Sequence, residues 1–125
     1  MKEAVIKMGS TTEFYIDERC YIAELSNTDN DPELSIARVR VEPGVTTNWH
    51  YLRDTAERYY ILSGRGRVEI GDSTVQDVAS GDMVIIPPEC RQRIANTGTE
   101  DLFFLAICSP RFSDSVYQDL EVEIS

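Results

Sequence analysis

The residues of this sequence that are best suited to chemistry lie between positions 44 and 64, in the segment GVTTNWHYLRDTAERYYILSG. His50 is the only histidine in the chain, and Glu57 follows it in the same segment. A neutral imidazole and a carboxylate are good ligands for divalent first-row metals, and the two groups can also exchange protons with a substrate. The segment therefore predicts either a metal site or an acid–base site.

Strand alternation around Glu57 indicates which side chains accompany it. Successive residues of a strand point to opposite faces, so Tyr59 and Ile61 share the face of Glu57 while Arg58 lies on the other face. Gly64 then allows the chain to turn sharply. We expect a strand, a loop and a second strand that direct polar groups into an apolar interior.

Short β-strands bounded by turn residues account for the rest of the chain, and no segment has a helical period over about 11 residues. The tetrapeptide MVII at 83–86 is wholly apolar and precedes Pro87 and Pro88, so we expect a buried strand there. The expected strands occupy residues 4–8, part of 15–25, 34–41, 59–62, 68–70, 74–78, 83–86, 91–95, 102–107 and 116–124. This succession predicts an all-β barrel or sandwich.

Composition limits the domain count and the class of partner. With 125 residues, of which 42% are hydrophobic, the chain suits a single domain over residues 1–125. A net charge of -10 disfavours nucleic acid and anionic membranes as partners and leaves a basic or neutral small molecule open. No segment approaches the roughly 18 apolar residues of a membrane span, so the expected location is the cytoplasm. Cys20, Cys90 and Cys108 show no CxxC spacing, and we expect reduced thiols.

The spacing within residues 44–64 resembles the first motif of the cupin superfamily, G-x5-H-x-H-x3-4-E-x6-G. Both motif glycines, His50 and Glu57 fall on its positions, whereas Leu52 replaces the second histidine. Residues 81–96, GDMVIIPPECRQRIAN, resemble the second motif, G-x5-P-x-G-x2-H-x3-N, with Gln92 in place of its histidine. The resemblance implies a double-stranded β-helix, also called a jelly-roll barrel.

The resemblance also implies a site. In cupins the two histidines and the glutamate of the first motif converge with the histidine of the second on one metal ion, often manganese, iron, nickel or zinc. The corresponding residues here are His50, Leu52, Glu57 and Gln92. Leucine cannot donate a lone pair and a glutamine amide oxygen is a poor ligand. We therefore expect at most a weakened metal site, held by His50, Glu57 and Gln92.

Two functions follow from this resemblance, and the sequence leaves both open. One is a metal-dependent enzyme that acts on an oxygen-bearing small molecule, with Tyr59 as acid or base. The other is a metal-free cupin that binds or isomerises a sugar or an aromatic metabolite, because an apolar Leu52 suits a dry binding pocket. The remaining expected pocket residues are Trp49, Cys90 and Phe104.

Structural explanations of the same residues stay open beside the functional ones. The alternative for His50 is an imidazole satisfied by hydrogen bonds, and the alternative for Glu57 is an ion pair with Arg53 or Arg58. Small cupins also commonly pair through sheet edges, and an apolar strand at 4–8 would expose unpaired backbone groups. We therefore expect a homodimer.

Overall fold

Eleven β-strands make up nearly all of the regular structure in residues 1–121, the part of the chain that the computed structural model describes. Two single-turn 3-10 helices, Met8–Ser10 and Asp114–Val116, are the helical segments of this range. Neither of them is a candidate for a membrane-spanning helix. The strands are β1 (Phe14–Ile16), β2 (Cys20–Ser26), β3 (Ser35–Val41), β4 (His50–Leu52), β5 (Ala56–Ser63), β6 (Arg65–Ile70), β7 (Thr74–Ala79), β8 (Met83–Ile86), β9 (Gln92–Asn96), β10 (Leu102–Ser109) and β11 (Tyr117–Asp119).

The strands form two antiparallel sheets whose inner faces pack on each other. One sheet has the order β1-β2-β3-β10-β5-β8, and the other has the order β11-β4-β9-β6-β7. Buried side chains from both sheets make one apolar cluster, in which Ile61, Ile94 and Leu102 are fully buried. This arrangement confirms the all-β jelly-roll expectation.

Alternation along β5 places the polar site residues on the inner face, as the sequence predicts. Glu57, Tyr59 and Ile61 are 8%, 3% and 0% exposed. Tyr60 and Leu62 are 37% and 38% exposed on the opposite face. The β5 strand therefore carries a carboxylate and a phenol into the interior between the sheets.

Gly64 ends β5 in a conformation that requires glycine. Its φ is +92°, and a Cβ built there would lie 2.8 Å from the carbonyl oxygen of Asp101. The backbone thus turns in direct contact with the start of β10. Any larger residue at position 64 would collide with this backbone, so the close approach depends on glycine.

Two strand expectations, at 4–8 and 83–86, need correction, and two others are met within different bounds. Residues 4–8 form no strand, and Val5 and Met8 are 81% and 65% exposed because no neighbouring strand pairs with them. The segment 15–25 is divided by a turn into β1 and β2. The β8 strand is buried on one face only: Val84 and Ile86 point inward, whereas Ile85 is 72% exposed on the outer face. The expected strand at 116–124 is present as β11, and residues 122–125 lie outside the described range.

Candidate functional site

A cavity of about 450 Å³ lies between the two sheets, and the β1–β2 hairpin forms part of its wall. Among the residues singled out by sequence, the cavity is lined by His50, Leu52, Glu57, Tyr59 and Phe104. The inward positions of β4 and β5 supply the first four of these residues, and β10 supplies the fifth. The structure therefore brings most of the predicted site residues to one cavity.

His50 is held inside this cavity by two hydrogen-bond acceptors. Its Nδ1 lies 2.9 Å from the backbone oxygen of Asn48 and 3.0 Å from Oε1 of Glu18, and the side chain is 4% exposed. Because both partners accept, Nδ1 carries a proton and donates it to them. Within residues 1–121 the hydrogen-bond and ion-pair contacts of the ring are made by Nδ1, so Nε2 remains the ring nitrogen for a ligand.

The Glu18 carboxylate controls the charge of His50. Burial by itself lowers the pKa of an imidazole, but the charge and hydrogen bond of Glu18, together with the charge of Glu57, raise the pKa of His50 to about 9. Tyr117 of β11 stacks on the imidazole with ring centres 4.9 Å apart and planes 22° apart. The ring is thus fixed in orientation and positively charged at neutral pH.

Glu57 is the second ionisable group of the site. Burial raises its pKa to about 7, although the positive charge of His50 and the neighbouring polar groups of Gln92 and Cys108 act to lower it. The Cys108 Sγ lies 3.7 Å from Oε2, and Oε1 has no hydrogen-bond partner within the described residues. One oxygen of a buried carboxylate therefore lacks a partner in the wall of the cavity.

Tyr59 and Gln92 form a pair behind Glu57. The Tyr59 hydroxyl donates a hydrogen bond to the Gln92 side-chain oxygen, and Gln92 is 1% exposed. The Tyr59 ring packs on Phe104 at a centroid distance of 4.5 Å. Gln92 also lies opposite His50 in the β4–β9 pairing, but it is not part of the cavity wall formed by residues 1–121.

Trp49 and Cys90 lie outside the cavity, which corrects the expectation that they line it. Trp49 packs against the guanidinium groups of Arg91 and Arg93, which lie 4.6 and 4.4 Å from its ring centre. Cys90 lies in the loop before β9, so strand alternation does not place it on the face of Gln92. Within residues 1–121, neither side chain contributes to the cavity wall.

The donor set does not fit the metal centre that the resemblance implies. Leu52, 3% exposed, presents carbon atoms where the family has an imidazole, and the Gln92 oxygen already accepts the Tyr59 hydroxyl. Across the described part of the chain, no group of three His, Cys, Asp or Glu side chains is placed to hold a metal ion.

Glu18 and Tyr117 are site residues that the sequence pattern does not indicate. Glu18 lies in the tripeptide Asp-Glu-Arg between β1 and β2, whose polarity predicts a turn in water. Tyr117 lies in a short strand far from both motifs. Only the pairing of β11 with β4 and the fold of the β1–β2 hairpin bring these side chains to His50.

Comparison with known proteins gives sequence relatives and structural neighbours. The oxalate decarboxylase OxdC of Bacillus subtilis is 30% identical over 108 residues, which are 83% of this chain, and the chain spans only 27% of the length of that relative. The glucose-6-phosphate isomerase of Thermococcus onnurineus is 25% identical, with 85% of this chain and 69% of the isomerase aligned. The structure of the nucleoside dehydratase Pac13, a Streptomyces protein, superposes with a TM-score of 0.78 at 17% identity over 95% of this chain and 92% of that chain.

The family assignment rests on a match to a family model. The family model described as "Cupin domain" matches residues 37–108, which include both motifs and extend from β3 to β10. This match covers more than half of the chain, and the two facing antiparallel sheets agree with it. The chain therefore belongs to the cupin family.

Proposed function

We propose that the protein binds a small organic molecule in this cavity and catalyses proton transfer on it, with His50 and Glu57 as the acid–base pair. The reaction uses no metal ion at the family's ligand positions. The observation that carries the proposal is the contact between His50 and Glu18, which fixes a proton on Nδ1 and leaves Nε2 for a ligand. A histidine oriented by a carboxylate in this way is suited to acid–base catalysis.

The two groups have pKa values that assign them different roles. A pKa of about 9 keeps His50 protonated at neutral pH, so Nε2–H donates a proton. A pKa of about 7 leaves Glu57 ionised in a large fraction of molecules, so its carboxylate accepts a proton. Environments that assign two titratable groups different protonation states are typical of acid–base sites.

This pair supports a defined exchange of protons. Glu57 removes a proton from a hydroxyl-bearing carbon next to a carbonyl group, and His50 delivers a proton to the carbonyl oxygen as negative charge develops there. The product is an enediol, and the reverse transfers onto the neighbouring carbon complete an isomerisation. Where a hydroxyl group lies beyond the deprotonated carbon, donation from His50 to that hydroxyl releases water instead.

The relatives support the same class of reaction. One sequence relative is named as a glucose-6-phosphate isomerase, and the same fold carries a protein named as a nucleoside dehydratase. Isomerisation of a sugar and removal of water from a nucleoside both depend on moving protons. The oxalate decarboxylase is matched over only 27% of its length, so its whole activity is a weaker guide.

Tyr59 receives a supporting role in this proposal. Burial raises its pKa well above the usual value, and its hydroxyl donates to Gln92. A phenol that stays protonated and already donates its hydrogen bond is poorly suited to act as a base. We therefore assign proton transfer to His50 and Glu57, with Tyr59 as part of the wall.

The proposal is tested by exchange of substrate protons with solvent. The protein is incubated in D2O with a panel of aldoses, ketoses, amino sugars and sugar phosphates, and nuclear magnetic resonance follows deuterium at the carbon next to each carbonyl. We expect incorporation into at least one member, at the same rate after treatment with a chelator. His50→Gln and Glu57→Gln should each reduce the rate by at least about a hundredfold.

A matched variant controls for loss of charge. Asp72→Asn also removes a carboxylate, but the Asp72 side chain is 98% exposed and does not line the cavity, so its rate should equal that of the wild type. Failure of every panel member to exchange would contradict the proposal. Exchange that disappears with the chelator and returns with a divalent ion would contradict its metal-free part.

Assembly and location are also proposals. The segment 4–8 does not form the strand on which the homodimer expectation rested, but β8 is a sheet edge on which Met83 and Ile85 are 52% and 72% exposed. A homodimer paired along β8 would cover these two side chains. Light scattering that gives a mass near the 14.2 kDa of one chain would argue against pairing. The cytoplasmic location stays a prediction.

A further inference from the structure

The wall of the cavity has a strong excess of negative groups. Six carboxylate side chains line it, and within residues 1–121 no lysine or arginine does so. Three of the six are exposed near its opening, two are half-buried and one is buried. The six are Asp17, Glu18, Glu24, Glu57, Asp114 and Asp119.

One of these carboxylates has an oxygen that lacks a partner. The Oε1 atom of Glu57 has no hydrogen-bond partner in the described part of the chain, although the residue is only 8% exposed. A buried carboxylate oxygen is normally satisfied by a donor, because unpaired burial is costly. A ligand that occupies the cavity and donates a hydrogen bond would satisfy it.

The apolar part of the wall is also suited to a cation. Tyr59, Phe104 and Tyr117 contribute aromatic rings to the cavity, and the faces of aromatic rings attract positive charge. Among residues 1–121, the cationic side chain at the site is His50, which is already paired with Glu18 at 3.0 Å. Its single positive charge is shared between Glu18 and Glu57, so a net negative charge is left for a ligand to balance.

From these observations we infer that the ligand of this cavity is an organic ammonium ion, that is, a small molecule with a protonated amino group. The inference rests on the proposed function for its site and names the substrate class of that function. The ammonium group donates a hydrogen bond to Oε1 of Glu57 and lies against the aromatic wall. The carboxylates at the opening attract it during entry.

The same wall opposes anionic substrates. A phosphate ester or a dicarboxylate would enter among six acidic side chains, with only the Glu18-paired His50 to compensate. Sites for such anions normally present arginine, lysine or a helix N-terminus to the negative group. The substrates named for the oxalate decarboxylase and the glucose-6-phosphate isomerase are therefore poor candidates for this chain.

The test compares compounds that share a carbon skeleton and differ in charge. Calorimetry at pH 7 measures binding of glucosamine, glucose and glucose 6-phosphate, and then of 2-amino-1,3-propanediol, glycerol and glycerol 3-phosphate. We expect the amine of at least one set to bind about tenfold or more tightly than its neutral analogue, and the phosphate to bind most weakly. Added salt should weaken binding of the amine and leave the neutral compound unchanged.

Two variants locate the binding to the cavity. Glu57→Gln should weaken amine binding about tenfold with little effect on the neutral compound, and Asp17→Asn at the opening provides a second test if the first variant folds poorly. Asp72→Asn removes an equal charge away from the cavity and should bind like the wild type. No amine binding in either set, or phosphate binding as tight as amine binding, overturns the inference.

The outcome separates this inference from the proposed function. Amine binding without any deuterium exchange would retain the ligand class and reject proton transfer. Deuterium exchange confined to sugar phosphates would retain proton transfer and reject the ammonium ligand.

Discussion

Replacing Glu18 with glutamine should lower the pKa of His50 from about 9 to near or below its ordinary value of 6.5. The Glu18 carboxylate lies 3.0 Å from Nδ1 and supplies the largest of the contributions that raise this pKa, whereas burial lowers it. Two unit charges about 4 Å apart interact by roughly 4 kcal/mol at an effective dielectric constant of about 20. At about 1.4 kcal/mol per pKa unit, removal of the charge corresponds to a fall of roughly two to three units.

The measurement is simple because the chain has one histidine. Protein with carbon-13-labelled histidine gives one imidazole resonance, and its chemical shift is followed from pH 5 to pH 10 in the wild type and in Glu18→Gln. Asp17→Asn is the matched control, since it removes the neighbouring carboxylate of the same turn, and its titration should stay within about half a unit of the wild type. A Glu18→Gln titration within that same margin would refute the assignment of Glu18 as the partner of His50.

Three further predictions concern stability and ligand chemistry. The free energy of unfolding should fall by on the order of 3 kcal/mol as pH rises from 6.5 to 9. The reason is that the pKa of His50 is raised in the folded state, so its stabilising charge is lost through that pH range. Urea titrations at several pH values should show a flatter profile for His50→Gln than for the wild type. Leu52→His should create micromolar zinc or nickel binding, since it adds a second imidazole on the inner face of β4. The measurement is calorimetry with Leu52→Met as the control, and a heat of binding no larger than that of the control would count against this geometry. Asn96→Ala should lower the unfolding free energy by about 3 kcal/mol, because the buried amide makes three hydrogen bonds of 2.8, 2.8 and 2.9 Å. Thr99→Ala, a substitution at an exposed residue nearby, is the control. A loss of stability no larger than that of the control would show that these hydrogen bonds contribute little.

The fold was predictable to the extent that local patterns decide it. Alternation along β5 requires only that one face be buried, and the structure buries Glu57, Tyr59 and Ile61 on that face. The segments 4–8 and 83–86 differ from their predictions because an apolar composition does not show whether other residues cover the segment. Residues 4–8 pair with no strand, and β8 is an edge strand with an exposed outer face.

The site was predictable only where it depends on the two motifs. His50, Leu52 and Glu57 reach the cavity because strand alternation and motif spacing place them there. Glu18 and Tyr117 reach it through long-range contacts, across 32 and 67 residues of chain, which no local pattern encodes. The charge of the histidine therefore depends on a residue that the sequence presents as an ordinary turn.

Leu52 and Glu18 together explain how this cavity differs from the family's metal centre. A metal ion would supply positive charge next to Glu57, and the loss of an imidazole at Leu52 removes the means to hold it. The β1–β2 hairpin then brings Glu18 to Nδ1, which keeps the remaining imidazole protonated and places a positive charge beside the buried carboxylate. Each change alone is unfavourable, since Glu57 without a cation is poorly solvated and Glu18 beside Glu57 without His50 is repelled. The two changes are coupled through His50, because the Glu18 carboxylate holds a proton on the imidazole that zinc must displace at pH 7. The zinc affinity of the Leu52→His and Glu18→Gln double variant, relative to that of Leu52→His alone, should therefore be higher at pH 7 than at pH 9.5, where the proton is already lost.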